Sequence, residues 1–190
     1  MKTFRTTIAC FTLFAALASA AEINVQVSPV NAKIEWILGG AVHTSHGTFR
    51  LKKGDVWFDP ESGKARGELI VDATSGESGN SVRDGRMRNG ILEVKQYPDI
   101  VFRPDSIIGK VNLTGDSSFS MHGKFRIHGE EHEITIPATT SIKGDLAETR
   151  LEFDIPYVKW GMKDPSALML KVDKSVKIKI VAEGHIGRGL

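Results

Sequence analysis

The 190-residue chain carries 25 Lys+Arg against 23 Asp+Glu and a single cysteine, Cys10. So even a balance gives no bulk electrostatic reason for nucleic acid or an anionic membrane as partner, and one cysteine excludes a disulfide framework. At this length one domain can bury a core large enough to stand without such staples.

Lys2 and Arg5 precede an apolar run from Ile8 to Leu17, and Ala18-Ser19-Ala20 has the small-x-small form that signal peptidase accepts. Residues 1–20 are therefore expected to be an export signal and residues 21–190 a single mature domain, periplasmic or secreted. The run is too short for a stable membrane anchor, and Thr7-Ile8-Ala9 before Cys10 lacks the leucine of a lipoprotein site. Removing the leader takes two basic residues from the 25 and no acidic one, which leaves 23 against 23 and no cysteine.

From there apolar residues recur with a period of two. Ala32, Ile34, Trp36 and Leu38, then Gly47, Phe49 and Leu51, then Val56 and Phe58, then Leu69 and Val71 each fall on one face. Alternation of this kind marks strands with one dry and one wet side. Lys53-Gly54-Asp55 and Asp59-Pro60-Glu61-Ser62-Gly63 carry the residues of hairpin turns.

The stretch Ser75–Phe102 breaks the pattern. Val82, Met87, Ile91 and Val94 stand at or near helical spacing with Arg83, Asp84, Arg86, Arg88 and Lys95 between them, which predicts one amphipathic α-helix over about residues 81–95. Asn80 or Ser81 can cap its start, Asp84 and Lys95 suit its two ends, and Tyr97-Pro98 stops it. Arg83-Asp84 reads either as an anchor for a polar head group or as a pair fixing the helix, and the second reading is the simpler.

Strand signals then resume with Ile100 and Phe102. Phe119, Met121, Gly123, Phe125 and Ile127 follow, then Ile134, Ile136 and Ala138, then Ala147, Thr149, Leu151, Phe153 and Ile155, and last Val176, Ile178, Ile180, Ala182, Gly184 and Ile186. Thr114-Gly115-Asp116, His128-Gly129 and Lys143-Gly144-Asp145 supply turns. Eight to nine strands joined by hairpins leave two unpaired edges unless the sheet closes, so the expected fold is all-β: a closed antiparallel barrel of about eight strands with one crossing helix. Several strands run about 11 residues, or roughly 35 Å, well beyond the usual length. Gly47, Gly123, Ala138, Ala182 and Gly184 on the inner face are expected to leave space there.

Between the last two strands, Pro156–Asp173 gathers Tyr157, Trp160, Met162, Leu168, Met169 and Leu170. Such a loop is either a plug packed on the barrel end or a lid over its mouth, and Trp160 and Met162 are expected to touch a ligand there.

Catalytic chemistry has little foothold. Gly76-Glu77-Ser78-Gly79 lacks the spacing of a nucleophile elbow. His43 and His46, three apart on a strand, point to opposite faces, and His128 and His132 read as exposed hairpin residues. Neither a catalytic set nor a metal site is expected.

The run Ser75-x-x-Ser78-Gly79-Asn80-x-x-Arg83-Asp84-Gly85-x-Met87, with Tyr97-Pro98-Asp99-Ile100-Val101-Phe102, resembles the signature of the YceI-like family. The likeness extends to Gly47-Thr48-Phe49, Phe58-Asp59-Pro60 and Gly123–Gly129, and so over most of the mature chain. It departs from the family pattern at Gly90-Ile91-Leu92-Glu93 and near Leu38-Gly39, where a Lys-His pair would stand. The resemblance implies a lipocalin-like barrel holding a long isoprenoid or quinone-type lipid. On that reading the ligand-binding residues are Trp36, Phe49, Phe58 and Leu69 from the first strands, and Met87 and Ile91 from the helix. Phe102, Phe119, Met121, Phe125 and Phe153 follow from the later strands, and Trp160 and Met162 from the loop. The expected function is carriage or sequestration of that lipid without catalysis, with a ligand-free envelope protein of the same fold as the alternative. No cofactor beyond such a lipid is called for, and homodimerisation is left open.

Overall fold

The computed structural model describes residues 22–166 and 171–188; the expected export signal lies outside them. Eight strands follow in chain order: β1 (Ile23–Leu38), β2 (Ser45–Phe58), β3 (Ala65–Glu77), β4 (Asp99–Gly109), β5 (Gly115–Ile127), β6 (Glu130–Lys143), β7 (Leu146–Ile155) and β8 (Val176–Arg188). Each pairs antiparallel with its chain neighbour and β8 pairs with β1, so the sheet closes into a barrel. Closure removes the exposed edges that a meander of this size would otherwise present.

Turn chemistry accounts for the connections at one end. Asp59 accepts from the Glu61 amide at 2.9 Å and Gly63 turns with φ +71°. Gly115 and Gly144 also adopt positive φ beside their hairpins. The expected turn at Lys53-Gly54-Asp55 is instead a bulge within β2, where the register against β3 shifts between Leu51 and Lys53. A Cβ on Gly54 would lie 2.8 Å from the Val27 Cβ, so the glycine serves a close approach inside the barrel and the strand continues. β1 bends similarly at residues 28–31, where its register against both neighbours shifts and Pro29 has no amide hydrogen to lose from the ladder.

The crossing segment contains a shorter helix than its apolar spacing predicts. α1 spans Ser81–Arg86, capped by Asn80, whose side chain accepts from the Arg83 amide. A π-helical turn, Met87–Ile91, follows directly. There the Leu92 amide reaches back five residues to Met87 O at 2.9 Å, and Glu93 then turns left-handed with φ +48°. The wider turn slips the face by one residue. Leu92 and Val94 are buried, whereas Val82 is 64% exposed. Lys95 consequently lies in a turn and caps no helix end.

The outer face is laced with cross-strand ion pairs, among them Lys52–Asp99, Lys53–Glu68 and Arg103–Glu131. At such exposure they contribute little stability and mainly keep the wet face soluble.

Candidate functional site

The eight dry faces enclose a tapered hollow of two adjoining chambers. Near the tip formed by the β2–β3, β4–β5 and β6–β7 hairpins lies a chamber of about 140 Å³. Its wall takes Ile23, Val25, Val56 and Phe58 from β1 and β2, Ile107 from β4, Ile142 from β6 and Ile186 from β8. Among the described residues Thr140 and Thr149 are the only polar side chains in that wall, and their hydroxyls satisfy each other at 3.0 Å. Toward the other end the hollow widens to about 570 Å³. Ile34, Val71, Ile100, Phe125, Phe153 and Ile180 line both chambers and so form the waist between them. Across it the Phe125 and Phe153 rings meet edge to face with centroids 6.2 Å apart.

Twelve of the thirteen sequence-predicted site residues line this hollow. Phe58, Leu69, Phe102, Phe119 and Met121 wall the lower chamber. Trp36, Phe49, Met87, Ile91 and Met162 wall the upper one, and Phe125 and Phe153 border both. Trp160 does not line either chamber. It packs above Phe125, with centroids 5.9 Å apart, and stacks face to face on His132 at 4.1 Å. That stack buries the His132 Nε2, which has no partner among the described residues. His128 is half-buried as well, 3.2 Å from a Glu93 carboxylate oxygen and against the Tyr97 ring. The two hairpin histidines are thus packing residues of the upper rim, not exposed ones.

Space inside the barrel comes from alanines rather than glycines. Ala32, Ala147 and Ala182 line the lower chamber. Gly47 instead lies beneath the Trp36 ring, at 2.7 Å from where its Cβ would stand, and Gly123 lies 2.2 Å from Arg103 O by the same measure. A Gly184 Cβ would meet Val25 at 2.8 Å. These glycines bring strands and rings together, contrary to the expectation that they leave room.

At the wide end three segments frame the opening. The β1–β2 loop is held by Ala41, whose amide donates to Lys171 O at 2.9 Å, and by the Asp173 amide, which donates to Gly39 O at 2.9 Å. α1 and the π-turn dock on β3 where Gly76 leaves room: a Cβ there would lie 2.5 Å from Phe49 and 2.6 Å from Met87. Behind the helix sits a buried polar cluster. The Ser78 hydroxyl donates to the buried Asp84 carboxylate. Arg83 donates to Ser78 Oγ at 2.8 Å, to Ser78 O at 3.1 Å and to Ser45 Oγ at 3.1 Å. The Arg83-Asp84 pair therefore works through Ser78 to fix the helix, and the Ser78 hydroxyl, the one candidate nucleophile of that motif, is spent in the same cluster.

The third segment is the described part of the loop after β7. Tyr157 is 5% and Met162 3% exposed, and the Met162 amide donates to Tyr157 O at 3.1 Å. The Tyr157 hydroxyl donates to Asp173 O at 2.8 Å, and its pKa is pushed up to about 12, chiefly by burial and then by the charges of Asp164 and Asp173. Residues 156–163 thus form a packed cap on one side of the opening. Leu168, Met169 and Leu170 lie outside the described residues. The sequence reading missed Leu92, Tyr157, Arg86, Val42 and Lys171 among the upper lining. Leu92 had a signal, its place beside Ile91, but the π-turn hid it.

Among the described residues no three His, Cys, Asp or Glu side chains converge as metal ligands. No described helix is long and apolar enough to cross a membrane. A YceI-like domain model matches residues 22–184. The chain belongs to the YceI-like family. Its fold is shared with Burkholderia cenocepacia BcnA, at 19% identity and TM-score 0.68 over 83% of this chain and 98% of that one. A polyisoprenoid-binding domain from Saccharophagus degradans, implicated in plant cell wall breakdown, superposes with TM-score 0.60 at 13% identity over 86% and 98%. A Campylobacter jejuni YceI protein does so with TM-score 0.52 at 13% identity over 100% and 99%. No curated protein sequence matches the chain significantly.

Proposed function

We propose that this YceI-like barrel is an exported carrier or sequestering protein for one apolar chain-bearing lipid, of isoprenoid or quinone type, and that it performs no chemistry on it. The observation that carries this reading is the hollow itself: tapered, and walled at depth by aliphatic and aromatic side chains with, among the described residues, only a self-satisfied threonine pair between them. A polar or charged ligand would lose its hydration there without regaining partners. A hydrocarbon chain gains about 0.8 kcal/mol for each buried methylene before ordering costs, so even a partly inserted chain binds. Membership of the YceI-like family and the fold shared with a polyisoprenoid-binding domain support the same reading. Absence of catalysis is supported by Ser78 being committed to Asp84 and Arg83.

Organic extraction of protein purified after export, followed by mass spectrometry, tests the proposal. A prenyl-type lipid present near one mole per mole of protein is the expected result. Protein repeatedly free of lipid, and unable to take up a prenyl quinone or polyprenol, would refute it.

A further inference from the structure

We propose that the mouth of the barrel is a docking surface for an anionic phospholipid bilayer. This rests on the carrier reading only in taking the wide end as the place where a lipid enters and leaves.

Apart from Tyr157, the titratable side chains that line the upper chamber are His43, Arg83, Arg86 and Lys171, all basic, with no carboxylate among them. Arg83 is occupied by Ser78 and Ser45. Arg86 and Lys171 are exposed, and neither side chain makes a hydrogen bond or ion pair among the described residues. Most neighbouring carboxylates are engaged elsewhere, and exposed Asp173 is the one among them with no hydrogen bond or ion pair to its carboxylate among the described residues. Asp84 holds Ser78, Glu93 holds His128 and Lys163, Asp164 accepts from the Ser166 amide, and Asp173 lies against Gly39. The exposed Glu77 on β3 lines neither chamber. Charges are mixed at the opposite tip as well, Asp59, Glu61, Asp116 and Asp145 standing among Lys64, Lys110 and Lys143, so what sets the mouth apart is the all-basic lining of its chamber.

Beside these cations stand two bare aliphatic side chains. Val42 on the β1–β2 loop is 74% exposed and Val82 on α1 is 64% exposed, and both belong to the mouth. Exposed valine next to unpaired lysine and arginine is poorly served by water. A bilayer surface satisfies both, since the aliphatic groups enter the headgroup boundary while the cations meet lipid phosphates. A chain whose charges nearly balance, at +2, has little long-range pull toward such a surface. The attraction is local and fades beyond about 10 Å in 0.1 M salt. Docked mouth-down, the barrel would receive a hydrocarbon chain without exposing it to water.

The test is sedimentation with vesicles of pure phosphatidylcholine and of phosphatidylcholine mixed with phosphatidylglycerol. Expected is binding to the mixed vesicles that salt weakens, with a loss of about fivefold for each of Arg86→Ala and Lys171→Ala. Val42→Asp with Val82→Asp is expected to abolish it. The controls Lys110→Ala and Val30→Asp, away from the mouth, should bind as the parent does. The inference is overturned if the parent protein binds neither vesicle, if it binds both equally, or if the controls lose as much as the mouth variants. Circular dichroism checks that each variant folds. Extraction and mass spectrometry on the same preparations judge the carrier reading separately, so a lipid-loaded protein that ignores vesicles refutes docking alone.

Discussion

The two ends of this barrel are built by different means. At the narrow end three hairpins and aliphatic side chains surround about 140 Å³, whereas the wide end is framed by a loop, a short helix and a cap around about 570 Å³. At the narrow end the strands make the site themselves. At the wide end the site depends on polar contacts between segments distant in the chain, such as Arg83 to Ser45 and Tyr157 to Asp173. Damage to the narrow end should therefore appear as lost packing, and damage to the wide end as a loosened rim.

The sharpest contrast comes from Phe58→Ala. Phe58 is buried in the wall of the lower chamber, and its truncation should cost about 3–5 kcal/mol by urea unfolding through lost burial and the enlarged cavity. Next in size is Arg83→Ala, expected to cost about 2–3 kcal/mol, since it strands Ser78 and Ser45 and unpins α1. A variant that lost bound lipid while keeping its unfolding midpoint would instead give Arg83 a direct role at the ligand.

Tyr157 offers a pH signature of the wide end alone. Its folded pKa, raised to about 12 from the ordinary value of 10.0, means that the folded state holds the phenol proton more tightly than the unfolded chain does. That contribution is whole below pH 10 and is lost as pH rises toward 12, by about 1–2 kcal/mol. Tyr157→Phe should remove this alkaline fall, measured as midpoint against pH, at a cost near neutrality of about 1 kcal/mol for the bond to Asp173 O. An unchanged alkaline profile would mean that the cap is open in solution. Smallest in stability is Ala182→Phe, whose ring enters existing space in the lower chamber and should change the unfolding free energy by less than about 1 kcal/mol. Its effect on bound lipid should be large.

Much of the narrow end was legible in the sequence and less of the wide end, for a physical reason. Strands β5 to β8 pair without a register shift, so their inward residues alternate strictly and the pattern is visible in one dimension. Gly54 was misread because glycine beside aspartate marks a turn or a bulge equally well. What decides between them is crowding by Val27 and Leu69, which come from other strands. The helix was drawn too long because a π-turn does not keep the 3.6-residue period on which helix reading depends. Trp160 was placed at the ligand for its apolar character, but its partner is the ring of His132, and no spacing rule announces that stack. Arg86 and Lys171 meet at one opening only because the barrel brings α1 beside the start of the last strand.

Native mass spectrometry of the parent protein and of Ala182→Phe, both purified under one protocol, tests most directly whether the hollow is a lipid compartment. The parent should carry one adduct of prenyl-lipid mass that the Ala182→Phe protein lacks, although both are folded. Equal spectra, with the adduct absent from both or retained in full by Ala182→Phe, would contradict the assignment.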